Sequence, residues 1–140
     1  MISVEKLIHA PVQKVWSAIT DKNEMKAWYF DLASFKAEPG FEFNFTGGPP
    51  DGIQYLHQCR ITEVEINKKL SYSWSYAGYT GISFVSFELI PQGENTRVVL
   101  THSGVETFPA DNPDFAKQNF IAGWNDIIGR SLPGYLENAN

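Results

Sequence analysis

Apolar residues recur with two periods along this chain. Up to about Ser103 the alternation is twofold, as in half-buried strands. Phe41, Phe43 and Phe45 alternate with Glu42, Asn44 and Thr46, and Leu70, Tyr72, Trp74 and Tyr76 alternate with Ser71, Ser73 and Ser75. Ile2 to His9 and Gln54 to Ile66 also read as strands, the second bulged, and Asp31 to Glu38 as a weaker strand. Ile82 to Ile90 and Thr96 to Ser103 form a hairpin around Pro91-Gln92-Gly93-Glu94-Asn95. Val85, Phe87 and Leu89 share one face of it, and Val98, Leu100 and His102 another. Gly47-Gly48-Pro49-Pro50-Asp51-Gly52 reads as an exposed loop at the mouth of the fold.

Helical spacing occurs twice. After Ala10-Pro11, with proline at the first helical position, Val12, Val15, Trp16 and Ile19 fall on one face. Thr20-Asp21 then caps a shorter helix ending near Trp28. At the other end Phe115, Phe120, Trp124, Ile127, Ile128, Leu132, Tyr135 and Leu136 form a strongly aromatic stripe. The stripe predicts one amphipathic helix from about Asn112 to Leu136, with Asn112-Pro113 as its cap. Such a helix is about 36 Å long. Pro133 costs it ~3 kcal/mol, and burial of Tyr135 and Leu136 offsets a similar amount. A kink between Gly129 and Pro133 is therefore expected, with the helix continuing to about Leu136.

One strand, two short helices, a meander of about six strands and one long helix make an α+β protein, in which the last helix covers one face of a curved sheet. The 140 residues suit a single domain spanning 1–140. A net charge of −5 without a basic cluster argues against nucleic acid or an anionic membrane as partner. No run approaches the length of a membrane span. Met1-Ile2-Ser3-Val4-Glu5 predicts no secretory leader. The single cysteine, Cys59, suits a reducing compartment, and the cytoplasm is the expected location.

Several short motifs, in this order, carry a resemblance. They are Ala10-Pro11 with Val15-Trp16 and Thr20-Asp21, then Trp28, Gly40-Phe41-Glu42-Phe43, Pro50-Asp51-Gly52 and Leu70-Ser71-Tyr72-Ser73-Trp74. Thr96-Arg97, Leu100-Thr101-His102 and Gly123-Trp124, leading to Leu132 and Tyr135-Leu136, complete the set. Together they resemble the helix-grip domains of the START-like (SRPBCC) superfamily, and within it the homologues of the C-terminal domain of the activator of heat shock protein 90 ATPase. The resemblance implies a helix-grip fold, a curved antiparallel sheet of six to seven strands wrapped around the long C-terminal helix. It also implies a ligand cavity between the two, and it admits carriers, cyclases and co-chaperones alike.

The expected ligand is a small hydrophobic or aromatic molecule. Its expected walls are Trp74 and Tyr76 on one strand, Phe87, Leu100 and His102 on the hairpin, His57 and Trp28 nearby, and Phe120, Trp124 and Ile128 on the helix. A polar group of the ligand would be read by Tyr76, His102 or Trp74. The bland alternative is that these rings simply fill the core.

His57, Cys59, Arg60, Tyr76, His102 and Glu106 form the chemical alternative, a cyclase- or hydrolase-type enzyme with His102 and Tyr76 as acid or base. A third reading, also implied by the resemblance, is an interaction module with a chaperone as partner. No catalytic residue is assigned. Three scattered histidines and one cysteine lack the spacing of a zinc site, and the glycine-rich loop lacks the lysine of a phosphate loop. No metal and no cofactor are expected.

Overall fold

In the computed structural model residues 1–49 and 51–138 are described; Pro50, within the expected loop, lies outside them. Six antiparallel strands form one sheet: β1 (Ile2–Ile8), β2 (Glu42–Gly47), β3 (Tyr55–Glu65), β4 (Lys69–Tyr76), β5 (Ser83–Gln92) and β6 (Asn95–Ser103). Their spatial order is β1-β6-β5-β4-β3-β2. β2 to β6 therefore make a meander, and the first strand closes onto the last. Two helices, α1 (Val12–Thr20) and α2 (Lys22–Trp28), link β1 to β2. A C-terminal helical run lies against the curved sheet: α3 (Lys117–Asp126), a π turn over Ile127–Ser131, and α4 (Leu132–Asn138). This is the helix-grip arrangement.

Alternation builds the sheet as expected. Tyr55, His57, Cys59 and Ile61 of β3 point inward, as do Leu70, Tyr72, Trp74 and Tyr76 of β4, and all are buried. The register of β3 against β4 shifts between Ile61 and Glu63, the expected bulge. β5 and β6 run to Gln92 and Asn95, so the hairpin turn is only Gly93-Glu94, tighter than the five-residue connection expected. Asp21 caps α2 by accepting from the Asn23 and Glu24 amides at 2.8 and 3.4 Å. Pro11 sits one residue before α1, at its cap position.

Two expectations fail. Residues 31–38 form no strand; Leu32 is buried and Phe35 packs edge-on against Phe43 at 5.1 Å. This segment is held by apolar anchors and not by ladder bonds. The C-terminal helix also starts later than Asn112. Asn112 accepts from the Asp114 amide, but the turn it caps is a single 3-10 turn, Pro113–Phe115. Ala116 is then extended (φ −66°, ψ 141°) before α3 begins. The break lets Phe115 stack on Tyr76, ring centres 4.6 Å apart.

The stress of Pro133 appears as the π turn just before it. The Leu132 amide bonds the Ile127 carbonyl, five residues back. Across the helices, the Glu24 carboxylate accepts from Ser17 of α1 and, at 2.9 Å, from Tyr135 of α4. That fixes the far end of the C-terminal run.

Gly81 combines a left-handed backbone with a close backbone neighbour. Its φ is +104°, and a Cβ there would lie 2.5 Å from the Thr107 carbonyl oxygen. Gly78, at φ +82°, has open space instead. Gly78→Ala should cost about 1 kcal/mol, the left-handed penalty alone. Gly81→Ala should cost about 2–3 kcal/mol because strain and collision add. Paired urea unfolding curves check this, and equal midpoints for the two variants would contradict it.

Candidate functional site

One end of the space between sheet and helix is filled; the other is open. At the filled end the Trp28 indole donates to the Ala18 carbonyl at 2.8 Å and stacks on Tyr29, ring centres 5.1 Å apart. The Tyr29 and Tyr72 hydroxyls bond each other at 2.7 Å. Phe87, Leu100, Ile128 and Leu132 complete this packing with 2% exposure or less. At the open end lies a cleft of about 580 Å³. Its sheet wall carries Tyr55, His57, Trp74 and Tyr76, its helix wall Phe120, Gly123, Trp124 and Ile127. Phe30, Gly47 at the end of β2, the loop residues Gly48 and Pro49, and the turn residues Asp114 and Phe115 line it further, with Asn119.

Five of the ten residues expected at the site thus meet around the cleft: His57, Trp74, Tyr76, Phe120 and Trp124. Trp28, Phe87, Leu100 and Ile128 lie in the packed end and do not line it. For Ile128 the neighbouring Ile127 lines the cleft, at the start of the π turn. His102 is fully buried behind Trp124, off the cleft wall.

His102 is held at both ring nitrogens. The Trp124 indole can only donate, and its Nε1 lies 2.9 Å from His102 Nδ1, so Nδ1 is an acceptor. The proton therefore sits on Nε2, which donates to Ser83 Oγ at 2.8 Å. Ser83 in turn donates to the Trp74 carbonyl at 2.9 Å. Burial favours the neutral ring and lowers its pKa to about 4. A histidine with no free nitrogen and no access to the cleft is a structural tie, not an acid or base. The pairing of His102 with Tyr76 for catalysis is not assembled.

Cys59, Arg60 and Glu106 also lie off the cleft wall. Cys59 is buried beside the aromatic core, and burial pushes its thiol well up, so it is no thiolate. Arg60 follows it on β3 and faces the opposite, solvent side, and Glu106 is exposed in the 3-10 turn after β6.

His57 differs from His102. Its Nδ1 donates to the Tyr55 carbonyl at 3.0 Å, which leaves Nε2 as a bare acceptor in the neutral ring. Its pKa is lowered to about 4 by burial, against an opposing pull from the Tyr55 and Phe45 carbonyls. The ring stacks on Phe45 at 4.4 Å and meets Trp74 and Tyr76 edge-on at 4.9 and 4.8 Å. Burial likewise raises the Tyr76 hydroxyl to about 12. The nearby Trp74 indole opposes part of that rise, yet buried Trp74 Nε1 meets no acceptor at hydrogen-bond geometry among the described residues.

A hydrogen-bonded latch borders the cleft. The Tyr55 hydroxyl donates to Asp114 Oδ2 at 2.6 Å and accepts from Asn112 Nδ2 at 3.2 Å. This ties β3 to the 3-10 turn and orients Asp114, the one acidic side chain on the cleft wall among the described residues. Tyr55 shares the inward alternation of His57 and could have been found from it. Phe30 sits in an irregular segment where no period marks a face.

Comparison with known proteins places this geometry in context. The family described as activator of Hsp90 ATPase homolog 1-like protein matches residues 9–137. No curated protein matches the sequence. Among solved structures, MLL2253 from Mesorhizobium loti is 27% identical over 99% of this chain and 98% of its own, with a TM-score of 0.79. DynU16, a protein of the dynemicin biosynthetic locus, is 27% identical over 99% of this chain, with a TM-score of 0.77. This chain spans only 48% of DynU16. BH1534 from Bacillus halodurans is 25% identical over 97% of both chains, with a TM-score of 0.71. No helix among the described residues is long and apolar enough to cross a membrane. With the helix-grip architecture and the match over nearly its whole length, the chain belongs to the activator of Hsp90 ATPase homolog 1-like family, within the START-like superfamily.

Proposed function

We propose that this protein binds a small aromatic or apolar molecule in the cleft between its sheet and C-terminal helix. The observation that carries the reading is the unfilled volume of about 580 Å³ walled by aromatic rings. It falls in the range of about 300–1,000 Å³ common for small-molecule sites. Aromatic rings with a few polar tips give such a site apolar contact area and orientation together. A small-molecule role also fits the likeness to DynU16, which comes from a biosynthetic locus. Of the polar set only His57 and Tyr76 meet at the cleft, while Cys59, Arg60, His102 and Glu106 lie off it, which favours binding over catalysis.

Gly123 makes the reading testable. It lines the cleft on α3, and a Cβ built there meets nothing within 4 Å. Gly123→Phe should place a ring in the cleft from a position with room for its Cβ, and removing a mid-helix glycine favours the helix. Neutral aromatic compounds should shift the Trp74 and Trp124 indole resonances of the unaltered protein. In Gly123→Phe their affinity should fall by about tenfold or more, a loss of at least ~1.4 kcal/mol, while the fold holds. If no compound moves these resonances, or if the variant binds equally well, the cleft is not the site.

A further inference from the structure

We infer that Trp74 and His57 form a donor–acceptor pair that selects a neutral aromatic ligand bearing a carbonyl-type acceptor and a hydroxyl-type donor on one edge. This rests on the ligand reading above and names the chemistry of the same site. Trp74 is 6% exposed, lines the cleft, and holds a buried N–H with no acceptor among the described residues. Buried donors are paired in the great majority of cases, so an orphan on a cleft wall points to an acceptor that arrives with the ligand. His57 offers the complement, a neutral ring whose Nε2 lone pair is left free by the Nδ1–carbonyl bond.

The two rings stand 4.9 Å apart. Both side chains line the same cleft, within the span of one small molecule. An entirely apolar ligand would leave both groups unpaired.

Charge narrows the class further. Among the described residues no lysine or arginine lines the cleft, His57 stays neutral at ordinary pH, and Asp114 stands at the mouth. An anionic ligand meets no cation there and one carboxylate. A simple ammonium ligand could approach Asp114, but it has no acceptor for Trp74 and would compete with the Tyr55 latch. A neutral molecule with both hydrogen-bonding functions satisfies the indole donor and the imidazole acceptor at once.

The test is titration of the intact protein with four probes of one shape: fluorene, 9-fluorenone, 2-hydroxy-9-fluorenone and fluorene-9-carboxylate. Affinity should rise from fluorene to the ketone to the hydroxyketone by about 3- to 10-fold at each step, with the carboxylate weakest. The Trp74 indole N–H resonance should move downfield with the ketones and not with fluorene. Trp74→Phe, which keeps a ring but loses the donor, should erase the ketone's advantage and spare fluorene. Should that variant fail to fold, the Trp74 resonance in the unaltered protein still decides. Equal affinity for fluorene and ketone with an unmoved Trp74 N–H, or tightest binding of the carboxylate, would overturn the pair and leave the cleft as a ligand site. If none of the probes binds, the ligand reading itself falls and the pair with it.

Discussion

Replacing His102 with alanine is expected to destabilise the protein by about 3–5 kcal/mol, a larger loss than the collision at Gly81→Ala should cause. The side chain is fully buried, so truncation leaves a cavity among Trp74, Phe120 and Trp124, whose rings lie 5.3 to 5.8 Å from it. The Trp124 N–H, which donates to His102, is then buried without an acceptor. Native stabilities are about 5–15 kcal/mol in total, so the loss is a large share. Urea unfolding followed by tryptophan fluorescence should show the midpoint fall with an unchanged slope.

A double-mutant cycle separates the hydrogen bond from the packing. Trp124→Phe alone strands the His102 Nδ1 acceptor, and His102→Leu alone strands the indole donor. Together they strand neither. The double variant should therefore cost less than the two single losses added, by about 1–2 kcal/mol. Strict additivity, or a cost below about 1 kcal/mol for His102→Ala, would show that the chain from Trp124 through His102 and Ser83 to Trp74 does not hold helix to sheet.

That chain also explains what could and could not be read in advance. The inward faces of β3, β4 and β6 follow from strict alternation, and Asp21 is a cap by its residue type and position. Alternation tells which residues face the helix, but not where the helix lies along the strand. Tyr72 and Trp74 share a face of β4, about 7 Å apart, yet Tyr72 is in the packed end and Trp74 on the cleft. Phe87 and Leu100 were for the same reason indistinguishable from true wall residues. Asn112-Pro113 carried a valid cap signal, but the turn it starts stops at Ala116 because Phe115 packs onto Tyr76, a contact between distant parts of the chain. Gly123 contributes an absence of side chain, and only the folded chain shows what that absence faces.

Acidification provides the second large expectation, because two buried histidines are held neutral. His57 and His102 each have a folded-state pKa of about 4, against about 6.5 for an unfolded histidine. Between these values the unfolded chain binds a proton at each ring and the native state does not. The unfolded state then holds more protons, so stability rises with pH and falls as pH is lowered from about 6.5 to about 4. Each ring contributes a slope of about 1.4 kcal/mol per pH unit, hence about 3.5 kcal/mol over the interval and about 7 kcal/mol for both. Below about pH 4 the native rings protonate as well and this contribution to the slope ends. The cause is structural in both cases: His102 gives both nitrogens to uncharged partners, and His57 has aromatic rings on several sides with no carboxylate paired to it among the described residues. Unfolding free energies measured by urea at intervals from pH 7.5 to 4 should show the decline, and His57→Phe should halve its slope between pH 6 and 5. A flat profile across pH 6.5 to 5 in the unaltered protein would mean that the native rings accept protons as readily as the unfolded ones. Neither the closed hydrogen-bond chain at His102 nor the free Nε2 acceptor at His57 would survive that result.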